Sequence, residues 1–282
     1  MSENVNIPAQ KDVIRIGILL GDLGHINVVA LKFLILQMNM LQRTFEYEFL
    51  LIPSNDQIIY QFIQRLSYKA LVDRQDTKQA VPALVTHYQA TLNDWSKRFG
   101  VKEPPVDHFI LVTMARFADN FYTAYGDQLT VLALGRWEDS MAPPSMLEFI
   151  LVILLRASVN FVLPTFRESM HFGTKGCLFD STPDLRDVRY KALNGFVCNY
   201  CCTELQSNGL NELADKLVSI LQKKWLGKST HPETPAGIIA KLGADLFITT
   251  GFKPPEPTVW ETFKKTIAQE WVKSLLTIIA TV

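Results

Sequence analysis

The chain contains 282 residues, of which 48% are hydrophobic and 20% are charged, and its 28 Lys and Arg residues balance its 28 Asp and Glu residues. This length is sufficient for a sizeable core, in one large domain or two ordinary ones. The balanced charge excludes the basic footprint of a nucleic-acid-binding protein and a polybasic membrane surface. The N-terminal sequence MSENVNIPAQKDV has neither the charged nor the apolar region of a secretory signal, so we expect a cytoplasmic protein whose cysteines stay reduced.

The first elements follow a strand–helix–strand pattern. An apolar, β-branched run at residues 13–20 precedes a glycine turn, GDLGH, and residues 28–38 then carry apolar side chains at helical spacing. A second apolar run, FEYEFLLIP, ends at Pro53. This βαβ pattern predicts buried parallel strands, a right-handed connection and the α/β class. The turn lacks both the G-x-G-x-x-G spacing and a P-loop lysine, so a tight turn is favoured over a nucleotide site.

The following segments complete the predicted sheet. Helical patterns cover residues 55–71 and 81–99. Apolar runs at residues 109–114 and 129–134 predict a third and a fourth strand, with a loop or short helix between them. These elements predict a mixed sheet of about four strands flanked by helices.

The longest apolar run, at residues 146–163, predicts a buried helix. Glu148, Arg156 and Asn160 interrupt the run, which is short for a bilayer span, so a core helix is favoured over a membrane segment. Two prolines precede it, and we expect the second, Pro144, in the first helical turn.

The C-terminal part is predicted to be helical. Residues 203–225 form an amphipathic pattern, and a polar, Pro- and Gly-rich stretch at residues 227–237 indicates a hinge. We therefore divide the chain into an α/β domain at residues 1–227 and a helical segment at residues 228–282. The last helix carries a stripe typical of packing, formed by Trp260, Phe263, Ile267 and Trp271. Its apolar ending, SLLTIIATV, permits three interpretations: a packed helix end, an interfacial anchor, or the start of a membrane helix in a longer product.

All four cysteines and one of the five histidines lie between residues 171 and 202. Cys198 and Cys201 form a C-x-x-C pair whose thiolates can converge on one ion, and Cys177 with His171 completes the Cys3His set that zinc accepts. The alternative is a pair of buried free thiols beside a surface cysteine. The clustering favours one structural zinc ion per chain.

The motifs of common hydrolases are missing from the sequence. It has no G-x-S-x-G elbow, and no two of its histidines have the H-E-x-x-H spacing that lets two imidazoles bind a metal while a glutamate activates water. Acidic residues follow the predicted strands, where active-site groups often lie, but solvated loop carboxylates are commoner. They are Asp119, Asp127, Glu138 and Asp139.

The cysteine-rich segment resembles the signature of the archaemetzincins, a family of metzincin-type zinc peptidases. Their pattern is H-E-x-x-H-x-x-G-x-x-H-C, four residues, C-x-M, about seventeen residues, and C-x-x-C. The resemblance implies a zincin-like fold with a catalytic three-histidine zinc and a second, four-cysteine structural zinc. Laid on this chain, the third histidine falls on His171, the second cysteine on Cys177 and the last pair on Cys198 and Cys201.

The catalytic half of the signature does not match. Its first two histidines, its glutamate base, its first cysteine and its methionine fall, respectively, on Phe161 and Thr165, Val162, Phe172, and Phe179. The resemblance therefore implies a pseudo-peptidase that has lost two zinc ligands and the base. The structural zinc lacks one cysteine, and it requires His171, Asp180 or Cys202 in its place.

We expect a binding protein rather than an enzyme: a catalytically inactive, archaemetzincin-like module for regulation, sensing or interaction. Its partner is expected to be a protein that the sequence does not identify, with no nucleic acid and with a membrane contact only if the C-terminal tail is an anchor. The alternative is a zinc-dependent hydrolase with a rearranged metal site, in which His171 acts with Asp180 or the loop acids.

Overall fold

A computed structural model describes residues 13–53, 56–102, 104–167, 171–182, 184–244 and 246. The strands in this part of the chain are β1 (Ile14–Leu20), β2 (Phe45–Phe49), β3 (Leu71–Val72), β4 (His108–Thr113), β5 (Arg116–Phe117), β6 (Thr123–Tyr125), β7 (Leu129–Ala133), β8 (His171–Phe172) and β9 (Asp180–Ser181). The helices are α1 (Val28–Leu41), α2 (Gln57–Arg65), α3 (Arg74–Phe99), α4 (Met146–Val162), α5 (Arg189–Asn194), α6 (Asn199–Ser207), α7 (Asn211–Leu221) and α8 (Pro235–Lys241).

The main sheet has five strands in the order β2-β1-β4-β7-β6. The β1 strand pairs in parallel with β2 and β4, β4 pairs in parallel with β7, and β6 is antiparallel to β7. The predicted class, α/β with a mixed sheet flanked by helices, is confirmed. The predicted four strands are all present, and β6 adds a fifth at the edge.

The loop or short helix predicted between the third and fourth strands is wrong. That segment contains β5, which pairs in parallel with β3, and β6. Both elements are too short to show an alternating pattern in the sequence. Thr123 and Ala124 are nevertheless buried, because β6 closes the edge of the sheet against β7.

The two faces of the sheet carry separate apolar layers. Along β1, Ile16 and Ile18 face the layer that contains α1, α4 and α7, whereas Leu19 faces the layer of α2 and α3. Successive side chains of a strand point to opposite faces, so a strand that is buried on both faces is apolar throughout. This explains the VIRIGILL run, in which Arg15 is the one charged residue and pairs with Glu48.

Helix α3 begins earlier than the predicted residue 81. Its first residue is Arg74, because the Asp73 side chain accepts a hydrogen bond from the Asp76 backbone N–H and caps the helix. Pro82 lies inside the helix. Pro82 therefore does not mark the start of α3, which the Asp73 cap places at Arg74.

Helix α4 is the predicted buried helix. Ser145 caps it in a reciprocal pair with Glu148, so Pro144 lies before the cap and its predicted place in the first turn is wrong. Among the described residues, no helix is both long and apolar enough to cross a membrane.

The single helix predicted at residues 203–225 is instead two helices, α6 and α7. They are separated at Gly209, whose φ of +77° lies in the left-handed region that favours glycine. Helix α6 begins at Asn199, so it includes the second cysteine of the C-x-x-C pair rather than following it.

Helix α8 packs into the same apolar layer as α1 through Ala236 and Ile239. The Asn27 side chain, which caps α1, also donates to the Leu242 carbonyl at 2.7 Å. The division of the chain at residues 227 and 228 stays a prediction. The aromatic stripe and the apolar tail lie outside the described residues.

Candidate metal centre

The four predicted ligands lie together. His171 lies on β8, Cys177 in the following loop, and Cys198 and Cys201 at the start of α6. One ligand atom from each lies within 4.8 Å of the others, and this group could hold a metal ion. No other group of three or more histidine, cysteine or acidic side chains converges in this way within the described part of the chain.

The C-x-x-C spacing brings the two sulfur atoms together because the pair spans the start of α6. Cys198 is the residue that precedes the first turn of α6, and Cys201 is the third residue of the helix. Side chains three apart lie on one face of a helix, so both sulfur atoms point to the same place. The positive end of the helix dipole also favours negative charge there.

Backbone pairing holds Cys177 beside that helix start. Cys177 is bridged to Phe196, and the Leu178 N–H donates to the Phe196 carbonyl at 2.8 Å. Gly176 precedes it with a φ of +77°, and a Cβ atom at this position would clash with the side-chain amide of Asn194. A larger residue at Gly176 would therefore displace the Cys177 loop.

The distances fit a tetrahedral ion. The His171 Nε2 atom lies 3.4 Å from the Cys198 sulfur and 3.6 Å from the Cys201 sulfur. A tetrahedral zinc with ordinary zinc–nitrogen and zinc–sulfur bonds separates nitrogen from sulfur by about 3.6 Å. The cluster is therefore already close to the size that the ion requires.

Asp180 lies against the histidine ring, although Asp180 Oδ1 and His171 Nδ1 form no hydrogen bond in this geometry. Strands β8 and β9 pair in parallel with His171 opposite Asp180, and the Asp180 Oδ1 atom lies 3.1 Å from His171 Nδ1. The other carboxylate oxygen accepts three backbone N–H groups, from Lys175, Gly176 and Cys177, at 2.7 to 3.1 Å. A carboxylate on Nδ1 leaves Nε2 to face the sulfur atoms, as is usual for metal-bound histidines.

These contacts bear on the three candidates for the fourth ligand. His171 Nε2 lies among the three sulfur atoms, whereas the Asp180 carboxylate faces the other ring nitrogen and the loop backbone. The Cys202 sulfur lies outside the cluster, 3.8 Å from the Val197 carbonyl oxygen. Of the three, His171 has the geometry of a ligand.

The thiols of the cluster differ in proton affinity. The Cys201 thiol donates a hydrogen bond to Cys177, and this lowers the pKa of Cys177 to about 5. The same bond raises the pKa of Cys201, as does its burial. Burial raises the pKa of Cys202. The buried cluster thus favours a thiolate at Cys177, and the thiolate is the form that binds metals.

The three residues onto which the resemblance laid two catalytic histidines and the glutamate base form no second metal site in the described part of the chain. Phe161, at the end of α4, stacks on the ring of His108 with ring centroids 4.3 Å apart. Val162 and Thr165 follow, on α4 and on the short 3-10 turn at Pro164–Arg167. None of these three side chains offers a nitrogen or thiolate donor.

The loop acids do not form a shared site either. Asp119 pairs with Arg74, Asp127 with Arg167, and Asp139 with Arg116, while Glu138 lies 3.8 Å from His25. The GDLGH turn is held by Asp22, whose carboxylate accepts the N–H groups of Gly24 and Tyr68. These hydrogen bonds agree with the prediction that GDLGH forms a tight turn.

Sequence reasoning missed two buried cations close to the cluster, Arg156 and Lys191. Arg156 donates to the carbonyls of Leu178 and Asp180, and so holds the loop that carries Cys177. Its position inside an apolar helical run was the available signal, because a charged residue in such a run has a specific partner when it is buried.

No protein-family model and no curated protein matches this chain. Among solved structures, the chain is similar to the crystal structure of an archaemetzincin from Methanopyrus kandleri, with 13% sequence identity and a TM-score of 0.40. The match covers 72% of this chain and 98% of the archaemetzincin. Similarity at this level does not assign a function to this chain. The metal centre is inferred from the geometry of His171, Cys177, Cys198 and Cys201.

Proposed function

We propose that the chain binds one structural zinc ion through His171, Cys177, Cys198 and Cys201, and that it acts by binding a protein partner rather than by catalysis. The observation that carries this proposal is the convergence of four protein ligand atoms within 4.8 Å. Three sulfur atoms and one imidazole are a soft donor set, which favours zinc over magnesium or calcium.

The closed donor set favours a structural role over a catalytic one. Catalytic zinc sites keep one coordination position for water or substrate, whereas structural sites use four protein ligands. Cys177 and Cys201 are fully buried, and the accessible fraction of Cys198 is 8%. A fourth ligand and the exclusion of water together leave no position at which a water molecule could be activated.

The proposal of a binding module rests on the lack of a catalytic metal site among the described residues. In the archaemetzincin pattern, two catalytic histidines fall on Phe161 and Thr165 and the glutamate base on Val162, and no other metal cluster lies in the described residues. A zinc-stabilised α/β scaffold without a catalytic metal is suited to regulation, sensing or interaction. The proposal includes a membrane contact only if the C-terminal tail is an anchor.

The test is the zinc content of two neighbouring cysteine variants. Elemental analysis of the purified, dialysed full chain should give one zinc per chain for the wild type and for Cys202→Ser, because the Cys202 sulfur lies outside the cluster. Cys201→Ser should lose the metal, because a serine hydroxyl is a poor zinc ligand. Zinc absent from the wild type, or lost equally from both variants, would refute the assignment.

A second measurement separates the module from the alternative hydrolase. The zinc-loaded chain should not cleave a broad peptide library, so the peptides recovered should be the same with and without a chelator. Cleavage that requires metal and disappears in His171→Ala would favour the enzyme. The zinc-content test examines the metal site and the cleavage test examines catalysis, so either can fail while the other succeeds.

A further inference from the structure

A cavity of about 220 Å³ is lined in part by Asp180, the residue that also contacts His171 of the cysteine cluster. Its walls come from α3, the β6 edge, α4, β9 and α5. Five cationic residues line this cavity, which we call the cation cavity: Arg74, Lys78, Arg156, Arg167 and Lys191. The acidic residue in the lining is Asp180, whose carboxylate is already bonded to the Cys177 loop and lies against His171.

Two of the cations are buried, and so form the floor of the cation cavity. The accessible fractions of Arg156 and Lys191 are 6% and 1%. The Lys191 ammonium lies 3.4 Å from the Tyr122 hydroxyl, and the Arg156 guanidinium lies 3.4 Å from the Tyr125 hydroxyl. No carboxylate in the described chain forms an ion pair with either cation. Burying charge is costly, and the described lining offsets five cationic side chains with the one carboxylate of Asp180, so an anion bound in the cavity would lower that cost.

The other cations lie nearer the solvent. Arg74 and Arg167 are ion-paired with Asp119 and Asp127. The Asp127 side chain is 98% exposed, so that pair contributes little and can exchange. The Arg167 Nε atom is buried and has no hydrogen-bond partner, which leaves a donor at the cavity wall. Lys78 is half-buried and forms no ion pair in the described chain.

We propose that the cation cavity binds a phosphomonoester or inorganic phosphate, with Arg156 and Lys191 on the charged oxygens and Lys78 and Arg167 closing over them. Guanidinium forks and ammonium groups are the protein donors that suit phosphate. The Tyr122 and Tyr125 hydroxyls are additional donors. The cavity is smaller than the ~300–1,000 Å³ of sites for drug-sized ligands, which favours a small anion. This site goes beyond the proposed zinc module and does not depend on it.

The experiment is calorimetric titration of the full, zinc-loaded chain with inorganic phosphate and with glycerol phosphate, at constant ionic strength, with acetate as the reference anion. We expect saturable binding of phosphate and no saturable binding of acetate. Tighter binding of the ester would identify an organic ligand, and equal affinity would identify the free ion; both support the site. No saturable binding of either phosphate would overturn it.

Matched lysine variants locate the binding. Lys78→Ala should weaken phosphate binding by about tenfold, because it removes one charge-assisted contact. Lys216→Ala is the control, since Lys216 is an exposed lysine on α7 and is not part of the cavity lining. An equal effect of both variants would indicate general screening by surface charge and would overturn the assignment.

Lys191→Met separates a binding role from a structural one. If Lys191 is kept for an external anion, methionine should abolish the phosphate-induced rise in melting temperature and should raise the melting temperature of the anion-free chain, because a buried unpaired charge is replaced by an apolar side chain of similar length. A lower melting temperature in anion-free buffer would show that Lys191 is structural. An unchanged response to phosphate would show a general salt effect. Either result would overturn the proposal.

Discussion

Two regions of opposite chemistry meet at Asp180. On one side, three thiols and an imidazole converge, and a thiolate is favoured at Cys177. On the other side, Arg156 and Lys191 are buried without an acidic partner in the described chain. The Asp180 carboxylate serves the first region, while its backbone carbonyl accepts a hydrogen bond from Arg156 in the second. Asp180 thus contacts both an electron-rich region and a cationic region, and we propose that each binds an ion of opposite sign.

The largest expected effect comes from emptying the cysteine cluster. Removal of zinc with a chelator should lower the melting temperature by about 10 °C or more, because a ligand present at a thousandfold excess over its Kd contributes ~4 kcal/mol and each kcal/mol shifts a chain of this size by ~2–4 °C. Calorimetric melting with and without chelator measures this. The Cys202→Ser variant should show the same drop, and an unchanged melting temperature would mean that the cluster contributes no metal-dependent stability.

The next effect distinguishes the two buried cations. Arg156→Met should lower the free energy of unfolding by about 3 kcal/mol, because it leaves the Leu178 and Asp180 carbonyls buried without a donor. Lys191→Met should instead stabilise the anion-free chain. Urea unfolding of both variants gives the comparison. A loss of similar size in both would mean that the two cations hold the fold in the same way.

A smaller effect is expected where the two regions meet. Asp180→Asn should weaken zinc binding by about 10- to 100-fold, because the substituted amide orients His171 less well and no longer carries the charge that supports it. Competition with a coloured zinc chelator measures the affinity. Asp184→Asn is the control, since this exposed carboxylate lies in the same segment and pairs with Arg186. Equal affinities of wild type and Asp180→Asn would show that the contact does not support the metal.

The smallest effect is expected at an acid on the opposite face of the sheet. The Asp56 carboxylate caps α2 and lies 2.7 Å from His87. Although burial raises its pKa, the Ile59 N–H and the His87 ring outweigh burial and lower it from 3.8. Its contribution is therefore present above pH ~4 and is lost as the pH falls through the lowered pKa.

Asp56→Asn tests this contribution, because asparagine keeps the cap and removes the charge. The wild type should be more stable than the variant by up to ~1 kcal/mol near neutral pH, and the difference should vanish in acid. Unfolding across a pH series measures it. A constant difference at all pH values would assign the effect to the cap rather than to the charge. Neither zinc nor phosphate binding should change.

The sequence was sufficient to predict the α/β class, because the strands of its central sheet are long apolar runs and helix α4 is a long apolar segment. It also indicated the cysteine cluster, since all four cysteines and His171 lie between residues 171 and 202, although it did not predict that the C-x-x-C pair spans a helix start. It could not choose among His171, Asp180 and Cys202, because that choice depends on the pairing of β8 with β9.

The parts that could not be predicted depend on contacts between elements rather than on the pattern within one element. The β6 strand has only three residues, and its pairing with β7 rather than its own pattern makes it a strand. The cation cavity joins residues of α3, α4 and α5, and no spacing in the sequence indicates that Lys78, Arg156 and Lys191 share one space.

The placement of all four proposed ligands between residues 171 and 201 also has a consequence for the order of folding. The pairing of β1 with β4 in the central sheet joins segments that are distant in the chain, as in the pairing of Ile16 with His108. Closing a short loop costs less entropy than closing a long one, and proteins with local contacts fold faster. We therefore expect bound zinc to close this segment in a chain in which β1 and β4 have not yet paired, so that the segment is suited to be an early nucleus onto which the rest of the chain assembles.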